Sequence, residues 1–274
     1  MNPHLKEIND IIALCDDMIV NISKLGDIHP GNQIYAEYRK KIYAFLKGHG
    51  LIRKDYVAYE VLNLFYYYDR APFSLNLNEV SLIRKTIIDI KHELFPNCFD
   101  KIFISHREKN RDQVSAFMEL LYSIGIPKPI AAHDEQTIFC TSHPATYIEN
   151  RKKNLEEIRK QFASSDHTLF ILWYTDEYFA SQACLNEMGA IWATNKTYQE
   201  ILFPGFDSNK IGGLLDRQAV WFVANDKFRL NSFKEDLERM FGLPPIRQNY
   251  WEVVRDNYIE QINRIALQGG GNNV

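Results

Sequence analysis

The segment HTLFILWY, residues 167–174, places the strongest constraint on how this chain can fold. A strand-length apolar run without polar alternation is typical of a strand buried on both faces of a sheet. Four other β-rich runs alternate with amphipathic helices along the chain: KIFIS at 101–105, TIFCT at 137–141, EILFPGF at 200–206 and QAVWFVA at 218–224. This alternation predicts a parallel sheet with helices on both faces, in which ligands bind beyond the carboxyl ends of the strands.

The region before this alternation has a different pattern and predicts a small all-α domain. Amphipathic periodicity predicts four helices, at 3–23, 31–50, 55–68 and 78–95. The segment FPNCFD ends this pattern at residues 95–100. We therefore divide the chain into a helical domain at 1–97, an α/β domain at 98–266 and a disordered, glycine-rich tail at 267–274.

Helix faces and caps follow from residue spacing. The inner face of the last helix of the first domain is predicted to hold Val80, Ile83, Ile87, Ile90 and Leu94, and that of the second helix Ile34, Tyr38, Ile42 and Phe45. Asn76 or Asn78 is the expected N-cap of the last helix, predicted at 78–95. We interpret its apolar stripe as domain core, and the alternative is a seam between subunits of an oligomer. In the second domain, Asn110 and Gln113 are spaced as a capping box for a helix at 110–125.

Composition narrows the class of protein. The 274 residues carry 32 basic and 35 acidic side chains, so the near-balanced charge gives no reason to expect nucleic-acid or acidic-membrane binding. The apolar runs are too short to cross a bilayer, and no signal segment is recognised at the start. The four widely spaced cysteines predict neither a disulfide framework nor a zinc site, so we expect a reduced, cytoplasmic protein.

Several catalytic motifs are missing from the sequence. There is no G-x-G-x-x-G, no G-x-x-x-x-G-K-[ST] and no G-x-S-x-G, which removes the main support for a dinucleotide-binding Rossmann fold, a P-loop NTPase and an α/β-hydrolase. The histidines form no sequence cluster that indicates a metal, so no metal or cofactor is expected.

Two polar segments follow predicted strands. FISHRE at 103–108 places Ser105, His106 and Arg107 at the expected rim of the ligand crevice. TIFCTS, residues 137–142, leads into a polar loop that holds Ser142. From spacing alone, an ordinary solvated loop is the favoured interpretation of both segments.

The helix SQACLNEMGAIW, residues 181–192, contains an unexpected carboxylate. Ser181 is a good N-cap, and Cys184, Met188 and Ile191 share an apolar face at helical spacing. Glu187 lies among them, where a buried carboxylate without a partner is costly and has a raised pKa. Three outcomes are open: it reaches water, pairs with a base such as Arg107, or lines a cleft.

Together, KIFISHRE, TIFCTS and SQACLNEMGAIW resemble the TIR (Toll/interleukin receptor) domain of the bacterial, NAD-cleaving kind. The resemblance covers about residues 99–265 and includes the S-x-x-C-x-x-E block. It implies a flavodoxin-like five-stranded parallel sheet and cleavage of NAD+, as substrate, between nicotinamide and ribose. The products would be nicotinamide and ADP-ribose or a cyclic isomer.

The resemblance also implies roles for single residues. Glu187 matches the catalytic glutamate, and the expected substrate-binding residues are Ser105, His106, Arg107, Ser142, Tyr174 and Cys184. The loop at 143–152 matches the segment through which TIR domains self-associate. The chain departs from the family pattern at Ala183, where many relatives carry an aromatic residue, and at Tyr174, where the third strand usually ends in serine.

Three functions stay open at this point. The preferred one is a NADase of anti-phage defence that either signals to a separate effector through a cyclic nucleotide, as in Thoeris-type systems, or depletes NAD. The second is a non-catalytic TIR scaffold in which Glu187 is structural. The third is a nucleoside-processing enzyme such as a deoxyribosyltransferase, which does not account for FISHRE and TIFCTS together.

Overall fold

The chain divides into two units, Met1–Asn97 and Cys98–Val274, within the FPNCFD segment where the sequence pattern changes. The computed structural model describes residues 3–26, 33–49, 76–128, 137–140, 167–211 and 221–270. The predicted helix at 55–68 lies outside these ranges. So does NLEEIRKQFASS at 154–165, where Leu155, Ile158 and Phe162 are spaced as the inner face of a further helix.

Three described helices form the first unit: α1 (Pro3–Leu25), α2 (Gln33–Gly48) and α3 (Leu77–Leu94). Their apolar faces pack into one core that includes Ile8, Cys15, Met18, Tyr38, Ile42, Phe45, Val80, Ile83, Ile87 and Ile90. The predicted stripe of α3 therefore lies in the core of this unit, with the exception of its last member.

Two predicted core residues of this unit are exposed. Ile34 is 44% exposed, and the neighbouring Tyr35 is buried in its place. Both residues lie within one turn of Tyr38, so the sequence period alone did not distinguish them. Leu94 is 41% exposed because α3 ends there, and the next residue, Phe95, packs against the core.

The start of α3 is closed by a complete capping box. The side-chain oxygen of Asn76 accepts a hydrogen bond from the Glu79 amide at 3.1 Å, and the Glu79 carboxylate accepts one from the Asn76 amide at 2.9 Å. Of the two predicted caps, Asn76 is confirmed. Two amides that a helix start leaves without partners are thus bonded.

The second unit contains a five-stranded parallel sheet, as predicted. Its strands are β1 (Lys101–Ser105), β2 (Ile138–Phe139), β3 (Thr168–Tyr174), β4 (Tyr198–Leu202) and β5 (Phe222–Val223), in the order β2-β1-β3-β4-β5. This is the strand order of flavodoxin-like sheets. β4 lies two residues earlier than predicted at its start and ends before Pro204 and Gly205, since proline has no amide for the ladder and Gly205 adopts φ +91°.

Helices cover both faces of this sheet, also as predicted. They are α4 (Arg111–Ile124), α5 (Asp176–Phe179), α6 (Gln182–Ala193), α7 (Lys227–Phe241) and α8 (Gln248–Gly270). Alternate residues of β1 enter different cores: Ile102 and Ile104 pack with α4, α7 and α8, whereas Phe103 packs with α5 and α6. The short helix α5 was not predicted.

The expected capping box at the start of α4 is wrong. Asn110 is the N-cap residue, but its side chain makes no capping bond and instead accepts a hydrogen bond from the Thr175 hydroxyl at 2.9 Å. The Gln113 side-chain oxygen accepts from the indole N–H of Trp173 at 3.0 Å. A buried indole N–H needs an acceptor, and this requirement takes priority over the cap.

The longest helices, α1 and α8, each have 23 residues. Neither they nor any other helix in the described ranges has an apolar stretch sufficient to traverse a bilayer. α8 continues to Gly270, so residues 267–270 of the predicted tail are helical. Each added residue of an existing helix gains a backbone bond, which favours continuation past the last buried turn.

The capping box yields a stability prediction. Asn76→Ala is expected to lower the free energy of unfolding by about 1 kcal/mol, because the helix loses its side-chain cap. Asn78→Ala, an exposed position inside the helix, is the matched control and is expected to be nearly neutral. Urea denaturation followed by far-ultraviolet circular dichroism measures both. Equal effects of the two substitutions would contradict the assigned cap.

Candidate active site at the carboxyl ends of the central strands

The register of the sheet places two polar side chains in one row. Ser105 of β1 pairs with Leu172 of β3, and Leu172 pairs with Glu200 of β4. Partners in register point to the same face of a sheet, and Leu172 belongs to the core under α5 and α6. Ser105 and Glu200 therefore face α6 near the carboxyl ends of the strands, close to the point between β1 and β3 where the strand order reverses.

Helix α6 carries Glu187 to this row. The Ser181 hydroxyl oxygen caps the helix by accepting from the Cys184 amide at 3.4 Å, as predicted. Cys184 and Ile191 are buried on the inner face, and Met188 packs against the same core. One turn after Cys184, the Glu187 carboxylate accepts a hydrogen bond from the Ser105 hydroxyl at 2.6 Å.

Tyr178 of α5 extends this contact into a chain of hydroxyl groups. Its hydroxyl oxygen lies 3.0 Å from Oγ of Ser105 and 3.2 Å from the carbonyl oxygen of Cys184. An ionised Glu187 can only accept, so the single proton of Ser105 goes to Glu187, and Tyr178 donates to Ser105 or to the carbonyl. The orientation of Ser105 is thus fixed from both sides.

Burial shifts the pKa of Glu187. The carboxylate is partly buried, and this desolvation raises its pKa, while the hydrogen bond from Ser105 lowers it. No described basic side chain forms an ion pair with it. Of the three outcomes left open by the sequence, pairing with Arg107 is not what the structure shows. Arg107 is exposed, and its charge acts on the Cys184 thiol. Burial raises the pKa of this thiol, and the positive charge of Arg107 lowers it.

A second carboxylate lies near Glu187, in the row of paired strand residues that contains Ser105, and it was not predicted. Glu200 is only 3% exposed, and Oε1 accepts a hydrogen bond from the Tyr174 hydroxyl at 2.9 Å. Burial raises the pKa of Glu200, and the bond from Tyr174 lowers it. Burial raises the pKa of the Tyr178 hydroxyl, and the negative charges of Glu187 and Glu200 raise it further, so the two carboxylates act on one site. The sequence did contain a sign of this second carboxylate, because the predicted strand EILF begins with a glutamate among apolar residues.

Tyr174 acts on this site from within the core. It is fully buried, its ring lies 5.2 Å from that of Tyr178, and its hydroxyl lies 3.4 Å from the Met188 sulfur. Direct contact with a ligand was expected of Tyr174, but the side chain faces Glu200 and Met188. Its effect on the site therefore passes through the glutamate and the inner face of α6.

His106 also differs from its expected place at the rim. It is 6% exposed, and its ring packs against Cys140, with Sγ 3.7 Å from Nε2. Residues alternate in direction along a strand, so the position after Ser105 points to the opposite core, which contains Ile104 and Cys140. Burial lowers the His106 pKa to about 4, which keeps the ring neutral at pH 7.

The structure thus brings together Ser105, Cys184 and Glu187 of the predicted site residues. Tyr178 joins them and was missed, because it lies on a short helix that the sequence pattern did not indicate. Ser142 and the loop at 143–152 lie outside the described residues. Among the described residues of the second unit, no three metal-ligating side chains gather. The groups that meet at this site are carboxylates and hydroxyls.

Comparison with known proteins identifies one relative by sequence. The chain is 30% identical over 158 residues to uncharacterized protein YddK of Bacillus subtilis (strain 168). The matched stretch is 58% of this chain and 55% of the relative, so the chain spans little more than half of the relative's length. No protein-family model and no solved structure matches.

The Tyr174–Glu200 bond yields a stability prediction. Tyr174→Phe is expected to lower the free energy of unfolding at pH 7 by about 1–3 kcal/mol, because the buried carboxylate loses its donor. The loss should shrink below the raised pKa of Glu200, where the carboxyl group is protonated in both proteins. Urea denaturation at several pH values measures it.

Tyr258→Phe is the matched control for this prediction. Tyr258 is also buried, but its hydroxyl has no hydrogen-bond partner within the described part of the chain. Its replacement is expected to be neutral or stabilising at every pH. Equal losses for Tyr174→Phe and Tyr258→Phe would contradict the assigned bond.

Proposed function

We propose that this protein is a TIR-type NAD+ glycohydrolase in which Glu187 is the catalytic carboxylate. The observation that carries the proposal is the Ser105–Glu187 hydrogen bond of 2.6 Å near the carboxyl ends of the central strands. It holds a partly buried carboxylate where ligands of such sheets bind. The reaction class follows from what such a carboxylate can stabilise.

Cleavage of the bond between nicotinamide and ribose needs one well-placed anion. As the C–N bond breaks, its electron pair neutralises the pyridinium nitrogen, and positive charge develops on the ribose. Nicotinamide leaves without protonation, so a general acid is not required. A fixed carboxylate in a water-poor site stabilises the oxocarbenium-like charge more strongly than one in bulk water.

The two oxygens of Glu187 divide this work. Oε2 accepts the Ser105 bond, which sets the direction of the carboxylate. Oε1 is then available for a ribose hydroxyl or for the developing cation. Attack by water, which loses a proton, gives ADP-ribose, whereas attack by a group of the same molecule gives a cyclic isomer.

The surroundings of Glu187 supply the other requirements of the proposal. The buried carboxylate of Glu200 adds negative potential on the side of Tyr178. Arg107 is exposed and close enough to act on the Cys184 thiol, so a pyrophosphate can reach its guanidinium from solvent. The parallel β2-β1-β3-β4-β5 sheet is consistent with the fold that the resemblance implies.

The biological role proposed with this activity is anti-phage defence in the cytoplasm. The helical unit would sense a trigger or drive assembly, and TIR self-association would complete the active site. A cyclic product would act on a separate effector, while a linear product would accompany NAD depletion.

A non-catalytic scaffold is the alternative, and chemistry separates the two. The purified chain at high concentration is expected to release nicotinamide from NAD+, measured by chromatography. Glu187→Gln keeps the size and the acceptor for Ser105 but removes the charge, and it is expected to lower turnover at least about 100-fold.

Glu119→Gln is the matched control for this substitution. Glu119 is exposed on α4 and pairs with Lys128 at 2.8 Å, so turnover is expected to stay at the original rate. Turnover by the Glu187→Gln variant at the original rate would reject the assigned role. Absence of turnover in the assembled protein would favour the scaffold.

The Ser105 bond predicts a shift in the pH profile. Activity needs ionised Glu187, so it should fall as the pH drops through the raised pKa of that group. Ser105→Ala removes the donor that lowers this pKa, and the acid limb of kcat/KM should move to higher pH. An acid limb in the same place as in the original protein would show that the bond does not tune Glu187.

A further inference from the structure

Three potential metal ligands gather in the helical unit, away from the site described above. His4 and Glu7 lie one turn apart on α1, a spacing that places both on the same face. His49 follows directly after α2. The ligand atoms of these three side chains all lie within 4.8 Å of one another.

The spacing of these groups approaches that of a tetrahedral metal site. Nε2 of His49 lies 3.1 Å from Oε2 of Glu7, and ligand atoms about 2.0–2.1 Å from a tetrahedral zinc are about 3.3 Å apart. The centroids of the His4 and His49 rings are 5.0 Å apart at 81°. Two imidazoles on one such zinc have centroids about 5 Å apart.

One of the ligands is held in place by the core. The His49 ring packs against Phe45 at 4.7 Å, and Phe45 is buried between the helices. The His49 amide donates to the Phe45 carbonyl at 3.1 Å. The His49 side chain is only 16% exposed, while His4 and Glu7 are exposed, so an ion can approach from solvent onto a partly fixed ligand.

We propose that His4, Glu7 and His49 bind a divalent transition metal of the zinc class. Two imidazoles and one carboxylate form a donor set that suits zinc, cobalt or nickel better than magnesium or calcium, which prefer oxygen ligands. Three protein ligands leave a fourth position for water. The ion would connect the first turn of α1 to the end of α2, across 45 residues of sequence, and would stabilise this unit.

The test uses the full chain without a histidine tag, stripped of metal with a chelator. Zinc is titrated in competition with a chromophoric chelator, and cobalt is added separately to record its visible absorption. One zinc per chain is expected, with the absorption of four-coordinate cobalt. The unfolding temperature should rise with zinc, because the ion binds only the folded arrangement.

Single substitutions assign the ligands. His4→Gln and Glu7→Gln are expected to weaken zinc binding at least about ten-fold, since loss of an outer partner alone typically costs that much. Both should abolish the rise in unfolding temperature. His92→Ala and Glu37→Gln, in α3 and α2 of the same unit, are matched controls that should leave binding unchanged.

Zinc binding by the His4→Gln variant with the original affinity would overturn the site. The site would also be overturned if the wild-type chain bound zinc no more tightly than the His4→Gln and Glu7→Gln variants. NAD+ cleavage is not part of either readout, so the outcome is independent of the function proposed for the second unit.

Discussion

The hydrogen bond from Ser105 to Glu187 is the contact on which the candidate site depends. It joins the last residue of β1 to the second turn of α6, two elements 82 positions apart in the chain. Strand alternation turns Ser105 toward α6, and helical spacing turns Glu187 toward the sheet. Without a donor in this place, the helix would bury a carboxylate against an apolar face with no hydrogen-bond partner. Such burial costs free energy and lowers the stability of the fold.

The carboxylates of Glu187 and Glu200 both oppose the stability of the fold at neutral pH. Burial raises the pKa of Glu187 and of Glu200, so each binds its proton more tightly in the folded than in the unfolded state. At a pH between the unfolded-state pKa and the raised folded-state pKa of either glutamate, the folded state carries more protons. The free energy of unfolding therefore falls as the pH rises through this range. The contribution of these groups is therefore present at acidic pH and lost above the raised pKa. A fold that keeps such a pair is consistent with selection for chemistry.

The sequence was sufficient for the parts of the structure that depend on periodicity. The parallel sheet and the helices on both faces follow from spacing, and the structure agrees. Spacing also limited the cap to Asn76 or Asn78 and placed Glu187 among the apolar residues of α6, and the structure then selected Asn76 and the Ser105 partner. Residues whose place depends on contacts between distant segments were missed. Tyr178 and Glu200 become site residues only because α5 and β4 pack beside α6, and His106 left the rim because the next position along β1 enters the other core. His4 and His49 are likewise too far apart in sequence to read as a pair.

In the NAD+ cleavage that we propose, the position of Glu187, more than its charge, decides whether the carboxylate accelerates nicotinamide release. NAD+ already carries a positive charge on its pyridinium ring, so a carboxylate beside that ring would stabilise the substrate as well as the transition state and gain nothing in rate. During cleavage the charge moves from the ring to the ribose. A carboxylate directed at the ribose interacts more strongly with the transition state than with the substrate, and that difference alone lowers the barrier. The Ser105 bond sets the direction of Glu187, so the proposed reaction requires the ribose of NAD+, and not its pyridinium, to lie against Oε1.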